Sequence, residues 1–114
     1  MSGYHEPVEE LDAKTRDQHR ALKSLQEEIE AVDWYNQRVA ATTDESIKEI
    51  LAHNRDEEIE HAVMVLEWLR RNMPEWDEMM RTYLFTTGSV LEIEEGGEGT
   101  TAEKKDLGIG SLKE

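Results

Sequence analysis

Ile47, Leu51, Asn54, Glu58, His61, Val65 and Trp68 recur at alternating spacings of four and three. That period draws one stripe along a helix, the side a helix turns toward its neighbours. The ends of this stripe are apolar, and its middle holds Asn54, Glu58 and His61. Glu58 and His61 stand one turn apart on the same face, aimed inward. Burying an unpaired carboxylate costs on the order of several kcal/mol. A metal ion is one of the few partners that makes such a placement favourable, so the stripe predicts a helix built around a polar layer.

A first helix precedes it. Pro7 suits a first helical turn, and the pattern predicts a helix from about Pro7 to Ala41. Its stripe runs through Ala21, Leu25, Glu28, Val32, Tyr35 and Val39, and a parallel one through Leu22, Leu25, Ile29, Val32 and Asn36. Thr42-Thr43-Asp44-Glu45 is a turn and helix start; Thr42 and Glu45 have capping-box spacing, and Asp44 is a second capping candidate. The second helix is expected from about Glu45 to Arg71, with Arg70 and Arg71 at the negative pole of its dipole. Asn72-Met73-Pro74 breaks it, and a short third helix is expected from about Pro74 to Phe85.

The expected architecture is all-α: an antiparallel two-helix hairpin plus a short third helix. One hairpin leaves a wide side of each helix uncovered, so two hairpins are expected to dimerise into a four-helix bundle. The helical domain is assigned to residues 1–86. Residues 87–106, rich in Gly, Thr and Glu, read as a flexible linker. Residues 107–114 then form a small apolar motif carrying Leu107, Ile109 and Leu112, unusual at the end of a polar tether.

Heights in the hairpin single out one more residue. Glu28 and Glu58 are equally far from residue 43, and at about 1.5 Å of rise per residue they reach the same level. One chain therefore offers one Glu from one helix and a Glu-x-x-His pair from the other. Carboxylate-bridged di-iron bundles use twice that set, which a symmetric dimer would supply. The tetrapeptide alone arises by chance roughly 0.7 times in a chain this rich in Glu. Its inward register and the matched height of Glu28 carry the reading; the bland alternative is a histidine on an acidic surface. Tyr35, on the face of Glu28, is a candidate neighbour of the centre or an amphipathic core residue. Glu27, Glu30 and Asp33 form either a looser cation site or a solvated face. His53 beside Asp56 and Glu57 reads as a surface pair, and Trp34 and Trp68 as interface packing.

Composition narrows the chemistry. The 114 residues carry a formal net charge of −14, so duplex nucleic acid and anionic membranes would repel the chain, and cations suit it. There is no cysteine, so a metal site must use carboxylate and imidazole, ligands that suit iron, manganese or zinc. The N-terminus has neither the basic flank nor the apolar run of a signal peptide, and no stretch approaches a membrane span; a cytoplasmic protein is expected.

Longer runs of the sequence match a family. Glu27-Glu28-Ile29-Glu30-Ala31-Val32-Asp33-Trp34-Tyr35, then Ala52-His53-Asn54-Arg55-Asp56-Glu57-Glu58 with His61, resembles the encapsulated ferritins. Leu66-Glu67-Trp68-Leu69-Arg70-Arg71 and Arg81-Thr82-Tyr83-Leu84-Phe85 are similar as well. The terminal motif with Leu107, Ile109 and Leu112 looks like the peptide that targets cargo to encapsulin shells. The resemblance implies a ferritin-like ferroxidase whose di-iron centre forms where two subunits meet, in dimers that build a ring-shaped decamer. It implies oxidation of Fe(II) with oxygen, and mineral held by the encapsulin shell. It matches Glu28, Glu58 and His61 to the iron ligands, Tyr35 to a tyrosine beside them, and Glu27 and Glu30 to a metal-entry site next to Trp34. Asn36 stands where an acidic residue is common.

Three functions compete. The first is a ferroxidase. The second is a protein that holds a metal pair without turnover. The third is an acidic adaptor whose polar layer merely sets bundle register.

Overall fold

The computed structural model describes residues 3–96. Helices dominate them, and no strand occurs among the described residues. A short 3-10 turn, Val8–Glu10, leads into α1 (Ala13–Ala41) and α2 (Glu45–Asn72). Two shorter helices follow, α3 (Pro74–Tyr83) and α4 (Val90–Glu94). The chain divides into two units, Met1–Asn72 and Met73–Glu114.

The first unit is the hairpin. α1 starts six residues later than Pro7 suggests, because Pro7 opens the 3-10 turn and Leu11 is extended. Asp12 then caps α1, its carboxylate accepting the Thr15 N–H at 2.8 Å. At the turn the capping question is decided for Asp44. Its Oδ1 accepts the N–H groups of Ser46 at 2.9 Å and Ile47 at 3.1 Å, plus the Ser46 hydroxyl at 2.7 Å. The Thr42 hydroxyl accepts the Asp44 N–H at 3.2 Å, stiffening the turn itself. These bonds hold the Asp44 carboxyl below its usual range.

Three rungs show that α1 and α2 run antiparallel and in one register. Gln18 donates to the Asn72 carbonyl at 3.4 Å. Glu28 meets His61 midway. Arg55 donates to Asn36 Oδ1 at 3.0 Å toward the turn. At the far end of α2, Arg70 and Arg71 clasp Glu67 at 2.7–2.8 Å and pull its carboxyl down to about 2. The two arginines thus act through a side chain of their own helix as well as through its dipole.

Packing inside the hairpin is thin. Leu69 is its one fully buried hydrophobic side chain among the described residues. Ile29, Ile50, Ile59, Val63, Met64 and Trp68 stay exposed, as expected for helices with one side uncovered. An open groove of about 540 Å³ runs beside Ala21, Met64, Val65 and Trp68.

In the second unit, Pro74 takes the first turn of α3. The helix stops at Tyr83, two residues short of expectation, because Leu84 is extended and Phe85 adopts a left-handed φ of 60°. The span read as a linker contains a helix of its own. Ser89 caps α4 by accepting the Glu92 N–H, and Ile93 is buried. The motif with Leu107, Ile109 and Leu112 lies outside the described residues.

The capping assignment predicts that Asp44→Ala lowers the thermal unfolding midpoint by about several degrees. Glu45→Ala, which removes only the capping-box candidate, should leave it within about one degree. Circular dichroism melts compare the two.

Candidate metal centre

The middle rung carries the polar layer. α1 supplies Glu28, and α2 supplies Glu58 and His61. One donor atom from each lies within 4.8 Å of the other two. His61 Nδ1 stands 3.4 Å from Glu58 Oε1 and 3.6 Å from Glu28 Oε1. Two helices thus aim two carboxylate oxygens and one imidazole nitrogen at one point. The four-three stripes create this local arrangement, and the Asp44-capped turn matches the heights.

The three side chains are half-buried and not sealed: Glu28 is 26% exposed, Glu58 25% and His61 42%. The stripe predicts inward-facing groups, and the single hairpin leaves one side of them open to solvent.

The electrostatics favour a cation. Glu28 has its pKa raised from the ordinary glutamate value, foremost by a hydrogen bond shared with the Glu58 carboxyl, then by burial and by the Glu58 charge. His61 opposes the shift. Two carboxylates held this close repel when both are ionised, and a divalent cation between them relieves the repulsion directly. Carboxylate oxygen with one imidazole nitrogen is a donor set that suits iron, manganese or zinc. The residues present fit half of a carboxylate-bridged pair of irons.

The remaining candidates are on α1 with Glu28. Tyr35 is half-buried on α1, with the Arg38 guanidinium 5.2 Å from its ring centre. Glu27 and Glu30 are exposed and lie outside the three-residue cluster. Trp34 is 50% exposed on the same helix. Asp33 accepts a hydrogen bond from Gln37 at 3.0 Å. The structure also adds a group that the sequence pattern assigns to the surface: Glu57 Oε1 lies 3.8 Å from His61 Nε2. The i, i+4 spacing of Glu57 and His61 was the available signal.

A helical hairpin with a carboxylate–histidine layer at mid-height defines the ferritin-like class of helical proteins. The family model described as EncFtn-like matches residues 3–87, and the chain belongs to that family. It is 63% identical over 112 residues to a ferritin-like protein of Thermotoga maritima, covering 96% of each chain. It is 55% identical over 121 residues to the encapsulated ferritin-like protein of Rhodospirillum rubrum, covering 96% of this chain and 86% of that one. An encapsulin nanocompartment cargo protein of Myxococcus xanthus is 36% identical over 104 residues, 79% of each chain. The fold matches a crystal structure of a protein from Nitrosomonas europaea with a TM-score of 0.75 and 59% identity, over 77% of this chain and 97% of that one. Among the described residues, no helix is long and apolar enough to cross a membrane.

The raised Glu28 pKa carries a pH dependence. A carboxyl with a higher pKa folded than unfolded binds its proton more tightly in the fold. Its contribution to the metal-free fold is therefore full below the unfolded value of 4.5 and is lost as pH rises through the higher folded value. Glu28→Gln should remove that loss, flattening metal-free stability between the two values; urea melts across pH measure it.

Proposed function

We propose that this protein is a ferroxidase that serves as cargo of an encapsulin shell. The observation that carries the reading is the half-set itself: Glu28, Glu58 and His61 converge within 4.8 Å and stay part-exposed. Family membership and the names of its relatives support the iron chemistry and the shell.

Fe(II) is the substrate. Two copies of the chain face each other across the open side and contribute Glu28, Glu58 and His61 twice, enough donors for two irons. Ile50, Met64 and Trp68 are exposed on α2 and become covered when the second hairpin docks. Each Fe(II) gives up one electron to oxygen. The carboxylates favour the Fe(III) product, because hard anionic oxygen stabilises the higher charge. Tyr35 lies on the α1 face that bears Glu28 and serves beside the centre. Glu27 and Glu30, exposed on the same helix with Trp34, act as the entry site that draws Fe(II) inward. The net charge of −14 raises the local concentration of cations around all of these groups.

The dimers assemble further, into a ring-shaped decamer. A ring has no closed cavity, so mineral is held by the encapsulin shell. Residues 107–114 bind that shell: Leu107, Ile109 and Leu112 present apolar side chains, and Gly108 and Gly110 let the backbone lie close to a surface. A ring carries many copies of this peptide, and avidity multiplies a modest affinity per copy. On this reading the protein works inside a cytoplasmic nanocompartment.

Three experiments test the proposal. Glu28→Ala, Glu58→Ala and His61→Ala should each abolish the fast phase of aerobic Fe(II) oxidation, followed by ferric absorbance. Fe(II) should also promote dimers in mass analysis, since metal binding adds free energy only to the assembled state. Full activity in a monomeric fraction would contradict the shared site, and metal uptake without oxidation would leave a binding protein. Deleting residues 107–114 should preserve oxidation and prevent co-purification with a co-expressed encapsulin shell. Continued loading of the truncated chain would sink the targeting assignment alone.

A further inference from the structure

His61 presents its two ring nitrogens to different groups. Nδ1 faces the carboxylate pair, 3.4 Å from Glu58 Oε1 and 3.6 Å from Glu28 Oε1. Nε2 faces Glu57, whose Oε1 is 3.8 Å away. The other oxygen of Glu57 lies 3.6 Å from Nε2 of His53. Residues 53, 57 and 61 are successive i, i+4 neighbours, so the three side chains form a ladder along one edge of α2. Glu57 lies between an imidazole one turn before it and another one turn after it.

This is the arrangement a ligating histidine needs. An imidazole binds a metal through one nitrogen, and the partner of the other nitrogen sets which one carries the proton and how the ring is turned. We infer that Glu57 is the positioning residue of the metal centre: it accepts the Nε2–H of His61 and so turns the Nδ1 lone pair toward the point shared by Glu28 and Glu58. The inference rests on reading those three residues as a metal centre. It assigns Glu57 a role that its exposed position on an acidic helix hides. At 3.8 Å the pair is in ion-pair range, and both side chains are free enough to close it, with 48% and 42% of their surfaces exposed. His53 Nε2 stands 3.6 Å from the second oxygen of Glu57. Glu57 touches no substrate; it acts through His61.

Co(II) is the probe, because its visible spectrum reports ligand geometry and its binding needs no oxidation. Titrations without oxygen compare the full-length parent with Glu57→Ala, Glu57→Gln, His61→Ala and the Glu57→Ala/His61→Ala double variant. Loss of a partner that orients a ligand weakens metal binding about 10–100-fold, and Glu57→Ala should show this, with an altered Co(II) spectrum. Glu57→Gln keeps an acceptor oxygen and should recover most of the affinity. In the His61→Ala background, Glu57→Ala should change affinity by less than about twofold, because the two residues act as one unit. Parent-like affinity in Glu57→Ala overturns the inference. So does an equal loss in both backgrounds, which marks a mere field effect, or a Glu57→Gln variant as weak as Glu57→Ala. Failure of the parent to take up Co(II) overturns the metal-centre reading and this inference with it. Normal uptake without Fe(II) oxidation overturns the ferroxidase reading alone and leaves the role of Glu57 standing.

Discussion

The approach of the Glu28 and Glu58 carboxylates across the α1–α2 seam is the constraint on which the rest of the molecule depends. Two acidic groups at that spacing raise the energy of the metal-free hairpin, which Glu28 answers by binding its proton more tightly. The hairpin has little apolar burial of its own with which to offset that cost, since Leu69 is its one fully buried hydrophobic side chain among the described residues. The caps at Asp12 and Asp44, the Asn36–Arg55 and Gln18–Asn72 rungs and the Glu67 clasp therefore hold the register locally. A cation would relieve the repulsion, and burial of exposed side chains such as Ile50, Met64 and Trp68 would relieve the thin packing.

The same chemistry separates what α2 does on each of its edges. Toward α1 it presents Glu58 with Nδ1 of His61; along its outer edge it presents the His53–Glu57–His61 ladder. One imidazole belongs to both sets. A helix achieves this without any special backbone, because residues three and four apart lie on slightly different bearings of one face. Glu58, three before His61, approaches its Nδ1, and Glu57, four before it, approaches its Nε2.

Much of this was legible in the residues. The four-three stripes located both long helices, and the equal distances of Glu28 and Glu58 from the turn predicted a meeting that the structure contains. Family membership, read from the runs around Glu28 and Glu58, agrees with the EncFtn-like match. Local competition was harder to read. Pro7 and Asp12 both signal a helix start, and only the extended backbone at Leu11 tells which one prevails. α4 is five residues long, too short for any period to register, and its Ser89 cap is its main signature. The half-open state of Glu28, Glu58 and His61 was illegible for another reason: periodicity says which way a side chain points, not whether anything covers it.

The turn at Thr42 and Asp44 works as a ruler. One residue inserted anywhere between Glu28 and Glu58 would shift part of a helix by about 1.5 Å and turn it by about 100°, carrying one carboxylate off the shared point. Most single substitutions in that interval leave the measurement intact. The interval should therefore tolerate wide changes of spelling and almost none of length, whereas the described residues beyond Tyr83 add no member to the cluster that sets this limit. Variation among natural versions of this chain should be sorted accordingly: letters before the second carboxylate, lengths after the third helix.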